Sequence, residues 1–66
     1  MIPVTSSDIA SVGYEFGKLY IHFHSGGTYV YYDVPMYIYE NLMNAASHGK
    51  YFHANINGNF RYNRIS

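Results

Sequence analysis

Two alternating runs flank a pair of glycines. Leu19-Tyr20-Ile21-His22-Phe23-His24 leads into Ser25-Gly26-Gly27, and Thr28 through Val34 leads out to Pro35. Alternation of apolar and polar side chains marks a strand with one buried face. Adjacent glycines between two such runs supply the positive φ of a two-residue primed turn. This hairpin constrains the chain most, because the turn decides which tyrosines face inward. With Gly26 and Gly27 as the loop, His24 is expected opposite Tyr29, Phe23 opposite Val30 and His22 opposite Tyr31. Ile21 then meets Tyr32 and Leu19 meets Val34. Directly opposed residues share a sheet face. The expected core face is Leu19, Ile21, Phe23, Val30, Tyr32 and Val34, while Tyr20, His22, His24, Tyr29 and Tyr31 collect on the other.

The flanking segments extend this unit. Pro3 and Thr5-Ser6-Ser7-Asp8 read as a lead-in and a turn. Ala10, Val12 and Tyr14 alternate as a first strand that joins the core face. Glu15-Phe16-Gly17-Lys18 reads as a tight turn, with Gly17 taking the positive φ. Pro35 suits the first turn of a helix, where a missing N–H is harmless, with Asp33 or Val34 as its cap. That helix is expected to run to about Ala46, with Tyr39, Leu42, Met43 and Ala46 on one face. Ser47 caps a second short helix from His48, whose buried side carries Phe52 and Ile56. Asn57-Gly58 ends it, and the aromatic tail from Asn59 to Arg64 docks on the body. The expected fold is α+β, a three-stranded antiparallel meander followed by two short C-terminal helices. It forms one domain over residues 1–66. The helices cover one sheet face, and too few residues remain to cover the second.

Composition narrows the function classes. A 66-residue chain without cysteine has neither disulfide staples nor thiolate ligands, so self-association is expected to support it. No apolar run is long enough to span a membrane. Met1-Ile2-Pro3 lacks the regions of a signal peptide, and a cytoplasmic, bacterial setting is expected. Net charge is zero but uneven. Residues 45–66 carry Lys50, Arg61 and Arg64 with no acid. That asymmetry reads either as a short tail without acids or as a small cationic patch for a phosphate or two.

Catalytic constellations are not evident. His22 and His24 share a strand face, a spacing that zinc can use, but a protein zinc site takes three or four ligands and only Asp33 is near. Ser25 beside His24 lacks an orienting acid and an oxyanion hole. Gly26-Gly27 joins two strands and opens no helix, so it is no phosphate loop. A non-enzymatic module without metal or cofactor is expected. The aromatic face is the better candidate: Tyr29 and Tyr31 beside Tyr20, His22 and His24 would form a π surface for base stacking. Lys50, Arg61 and Arg64 would contact phosphate, and Tyr51 would reach toward the same cleft. The same tyrosines also suit cross-strand pairing or a subunit interface, and both uses stay open.

Tyr29-Val30-Tyr31 followed by Val34-Pro35 forms a tyrosine motif. With it go Ser6-Ser7, Ile9, Ser11 and Gly13-Tyr14, then Tyr39, Leu42, Ala45, Ser47, Gly49, Tyr51-Phe52, Ile56 and Arg64. Over residues 5–65 the chain resembles the KTSC domain, named for its place at the C-terminus of some lysyl-tRNA synthetases and also found as short stand-alone proteins in bacteria and phages. The resemblance implies a binding role, with RNA suggested by the synthetase association, and carries no catalytic residues. The resulting expectation is a small module for a nucleotide-like ligand, in RNA or free, and in a phage-type oligomer for sequestering a nucleotide signal. The competing expectation is a protein–protein or homo-oligomerisation module that uses the aromatic sheet face.

Overall fold

The computed structural model describes residues 1–66. Its elements are β1 (Ile2–Pro3), β2 (Ile9–Glu15), β3 (Lys18–Phe23), β4 (Thr28–Tyr31), α1 (Met36–Asn44), α2 (His48–Asn55) and β5 (Tyr62–Arg64). The sheet has five antiparallel strands in the order β1-β2-β3-β4-β5. The expected meander of three strands is therefore its centre. The two added strands are only two and three residues long, too short for alternation to reveal. The tail does dock, as a strand beside β4.

The β2–β3 turn forms as expected. Phe16 and Gly17 occupy positive φ of 49° and 80°, between paired Glu15 and Lys18. The β3–β4 turn differs. Phe23 N–H donates to Gly27 O at 3.1 Å, and Gly26 N–H donates back to Phe23 O at 3.0 Å. The loop is thus His24-Ser25-Gly26, three residues, with Gly26 at φ 94° in the left-handed region that such loops require. His22 pairs with Thr28, Ile21 with Tyr29, Tyr20 with Val30 and Leu19 with Tyr31. Relative to the Gly-Gly turn the register moves by an odd number of positions, and that exchanges the two faces of β4. Tyr29 and Tyr31 join Leu19, Ile21 and Phe23 under the helices, whereas Val30 and Tyr32 leave the expected core face.

Two further departures shape the core. A bulge lies between Ile9 and Ser11, so Ile9, not Ala10, turns inward with Val12 and Tyr14. Asp33 at φ 57° bends the chain after Tyr31 and returns Val34 to the interior. The core comprises Ile9, Val12, Leu19, Ile21, Tyr31, Val34, Leu42, Phe52 and Ile56. Val30 is buried apart from it, on the opposite face with Tyr20, His22, Thr28 and Asn63.

Pro35 sits at the N-cap of α1 and not inside its first turn, and α1 stops at Asn44, leaving Ala46 exposed. Ser47 caps α2 as expected, its Oγ accepting Lys50 N–H at 3.2 Å. Gly58 at φ 84° turns the chain back toward β5. Tyr39 on α1 stacks on Tyr14 with ring centroids 5.1 Å apart. Phe52 on α2 meets Phe23 and Tyr31 edge-on at 5.4 and 5.6 Å.

Candidate functional site

Strand pairing lines up two rows of side chains on the helix-covered face. Tyr14, Leu19, Tyr31 and Tyr62 form one row, and Val12, Ile21, Tyr29 and Arg64 form the next. The inner members of each row lie in the core. Toward β5 the sheet extends past the helices, and an aromatic cleft of about 300 Å³ opens there. Phe23, Tyr29, Tyr31 and Tyr62 line it from the sheet, Ser25 and Gly26 from the hairpin loop, and Phe52, His53 and Asn57 from the helix side.

The rings brace one another. Phe23 and Tyr29 meet edge-on at 5.6 Å, and Tyr62 lies 5.9 Å from Tyr29 and 5.6 Å from Tyr31. Edge-to-face and offset pairs of this kind satisfy the ring quadrupoles and hold each face in place. Tyr62 remains 55% exposed, so one ring of the cluster is open to a planar ligand. Burial pushes the Tyr31 hydroxyl up from its ordinary 10.0 to about 12, with Tyr62 and then Tyr29 adding to the rise. Tyr31 is therefore a neutral wall of the cleft at physiological pH.

Arg64 supplies the charge. Its guanidinium lies 6.0 Å from the centroid of the Tyr29 ring, and its Nε–H donates to Ser66 O at 2.9 Å. Gly27 makes room for it: a Cβ there would sit 3.2 Å from the guanidinium nitrogens, and the backbone φ of 109° also favours glycine.

The structure brings together only part of the expected site. Tyr29 and Tyr31 line the cleft, on the face opposite to the one expected for them, and Arg64 lies beside Tyr29 at its margin. His22 is on the other face, where its Nδ1 lies 2.9 Å from Thr28 Oγ1. His24 is in the hairpin loop, with its N–H on Asp8 O at 2.9 Å, so the two histidines share no site. Arg61 is also on the far side, 5.3 Å over the Tyr32 ring and 3.5 Å from Asp33. Tyr51 packs against the core. Lys50 is outside the aromatic cleft and lines a basin at the start of α2. Sequence reasoning placed Phe23 and Phe52 in the core and left Tyr62, His53 and Asn57 without a role in the site. The sign that could have found Tyr62 is the parity of the β3–β4 turn. Once Tyr29 and Tyr31 face inward, a tail strand paired with Tyr62 opposite Tyr31 brings its ring to the same row.

The KTSC domain family model matches residues 5–60. The chain belongs to the KTSC domain family. Lysine-tRNA ligases of Trichormus variabilis and a Nostoc species are each 46% identical to it over 48 residues, 73% of this chain and 9% of theirs. A protein of Tsukamurella paurometabola is 36% identical over 63 residues, 92% of this chain and 94% of its own length. The crystal structure of a KTSC domain protein from Yersinia pestis superposes with a TM-score of 0.93 at 41% identity, covering 97% of this chain and 93% of that one. The family thus occurs both as a small part of a tRNA ligase and at the length of this chain.

Proposed function

We propose that this KTSC domain is a non-enzymatic binding module for a nucleotide-like ligand, carried in RNA or free. The observation that carries the reading is the aromatic cleft with Arg64 beside it. A planar base would stack against Tyr62 over Tyr29 and Tyr31, and Arg64 would hold a phosphate in its fork. Such stacking contributes about 1–3 kcal/mol per base and is tolerant of base identity. The segment shared with lysine-tRNA ligases supports an RNA-related ligand. Net charge of zero fits a short or small ligand better than a long duplex.

Isothermal titration with adenosine monophosphate and with short oligoribonucleotides tests this. Binding that Tyr62→Ala and Arg64→Ala each weaken about tenfold supports the reading. Steep loss of affinity with salt assigns the ligand to RNA, whereas a shallow dependence assigns it to a free nucleotide. Heat signals absent across both sets refute it.

A second reading, self-association, is favoured by the free outer edge of β5, the last strand of the sheet. An unpaired edge is a template for another chain. A monomeric mass across the concentration range would remove this reading.

A further inference from the structure

The aromatic cleft is one of three cavities, and His53 lines every one of them. A cavity of about 230 Å³ shares Phe23, Ser25 and His53 with the cleft and adds Ser7 and Asp8. A third, of about 290 Å³, shares Ser7, Asp8 and His53 with that one and continues to Thr5, Ser6, Ser47 and Lys50. Shared walls make them one groove that bends at His53. Each cavity alone is at or under the roughly 300 Å³ where small-molecule sites begin, and the joined groove is within their range.

The chemistry changes along the groove. One end is aromatic. The bend holds the carboxylate of Asp8, 3.4 Å from His53 Nε2. The far end is a basin of hydroxyls with one ammonium and the His48 ring, and the Asp8 carboxylate forms its near wall. Ser6 Oγ accepts the N–H groups of Asp8 and Ile9, and Ser47 Oγ accepts Lys50 N–H. Each of these hydroxyl oxygens is occupied as an acceptor, so its proton is left to donate outward. The α2 amide that Ser47 caps is already taken, and the basin offers side-chain donors. Gly49 lets the groove close up: a Cβ there would stand 3.2 Å from Asp8 Oδ2.

Aromatic wall, then carboxylate, then hydroxyls and ammonium match the order of base, ribose and following phosphate in a ribonucleotide strand. A carboxylate accepts ribose hydroxyls, as acidic residues do in dinucleotide sites, and hydroxyl donors with a lysine suit phosphate oxygens. We infer that the groove takes a single-stranded ribo-oligonucleotide at least two units long. Its base enters the aromatic cleft, its ribose donates to Asp8, and the next phosphate rests in the basin of Ser6, Ser7, Ser47 and Lys50. This rests on the nucleotide reading above and deepens it, by setting a minimum length and a preference for ribose.

The test compares adenosine monophosphate, the 5′-phosphorylated diribonucleotide pApA and its deoxy counterpart by isothermal titration against the wild type, Lys50→Ala and Asp8→Ala, with circular dichroism confirming each fold. pApA keeps the 5′-phosphate for Arg64 and adds one for the basin, and it is expected to bind about tenfold more tightly than the mononucleotide, the worth of one or two charge-assisted contacts. Lys50→Ala should abolish that gain and leave the mononucleotide affinity unchanged. Asp8→Ala should abolish the preference for pApA over the deoxy form. Equal affinity for one unit and two, equal loss of both on Lys50→Ala, or no ribose preference overturns the inference while mononucleotide binding leaves the nucleotide reading standing. Failure of every probe to bind overturns both.

Discussion

Tyr31 is the residue where fold and site meet. It is 4% exposed, it closes the core beside Phe52, and it walls the cleft. Its hydroxyl titrates at about 12 against 10.0 unperturbed, mainly because burial disfavours the phenolate. The unfolded chain therefore releases this proton first. Stability from Tyr31 is fully present below pH 10, declines as the pH rises, and is gone above about 12. The decline is smaller than the roughly 3 kcal/mol that the full shift would give, because Tyr31 lines the open cleft and water screens its hydroxyl there. Urea denaturation from pH 9 to 12 should show Tyr31→Phe lacking that component. Tyr62 and Phe52 divide the same cluster differently. Phe52→Ala should cost about 3–5 kcal/mol, a large share of the stability of so small a domain. Tyr62→Ala, at a half-exposed position with two ring contacts, should lower stability by only about 1 kcal/mol in the same denaturation and act mainly on binding.

At the scale of elements, the β3–β4 loop has the largest consequence for the site. A three-residue loop in place of a two-residue one changes the parity of β4, and parity decides whether Tyr29 and Tyr31 see the helices or solvent. Both glycines participate, Gly26 by closing the loop and Gly27 by leaving room for Arg64. Gly27→Ala should cost about 1–2 kcal/mol for its positive φ and also displace Arg64. The measurable sign is a loss of mononucleotide affinity beyond what Gly26→Ala produces at similar stability. At the other end of the groove, Ser47→Ala removes the α2 cap and should cost about 1 kcal/mol in chemical denaturation.

The whole molecule is a single helical layer on one face of a twisted five-stranded sheet. Its core rests on nine buried residues, so a ligand that bridges sheet and α2 should stabilise it appreciably. Melting temperature should rise with the logarithm of ligand concentration for any probe that fills the cleft. The opposite face, with Tyr20, His22 and Tyr32, has no helix over it, and no helix of the molecule is long and apolar enough to cross a membrane. Neighbouring elements are sequential along the sheet except at β5, which returns after both helices to pair with β4. That return places Tyr62 and Arg64 beside Tyr31 and Tyr29.

Local chemistry was legible in the amino-acid order. The Phe16-Gly17 turn, the alternation of β3, the Ser47 cap, the burial of Phe52 and Ile56 and the break at Gly58 each depend on residues a few positions apart. The tyrosine motif and its spaced companions were enough to place the chain in its family. What only the tertiary structure decided is the side of the sheet on which the motif works. Ser25, Gly26 and Gly27 accommodate turns of either parity, and local propensity barely separates them. Burial of Tyr29 and Tyr31 against Phe23 and Phe52 requires a loop of odd length, and the Phe23–Gly27 pairing makes it three residues. The bulge at Ala10, the bend at Asp33 and the pairing of β5 likewise join residues far apart in the chain, and their stability comes from packing that no short stretch contains.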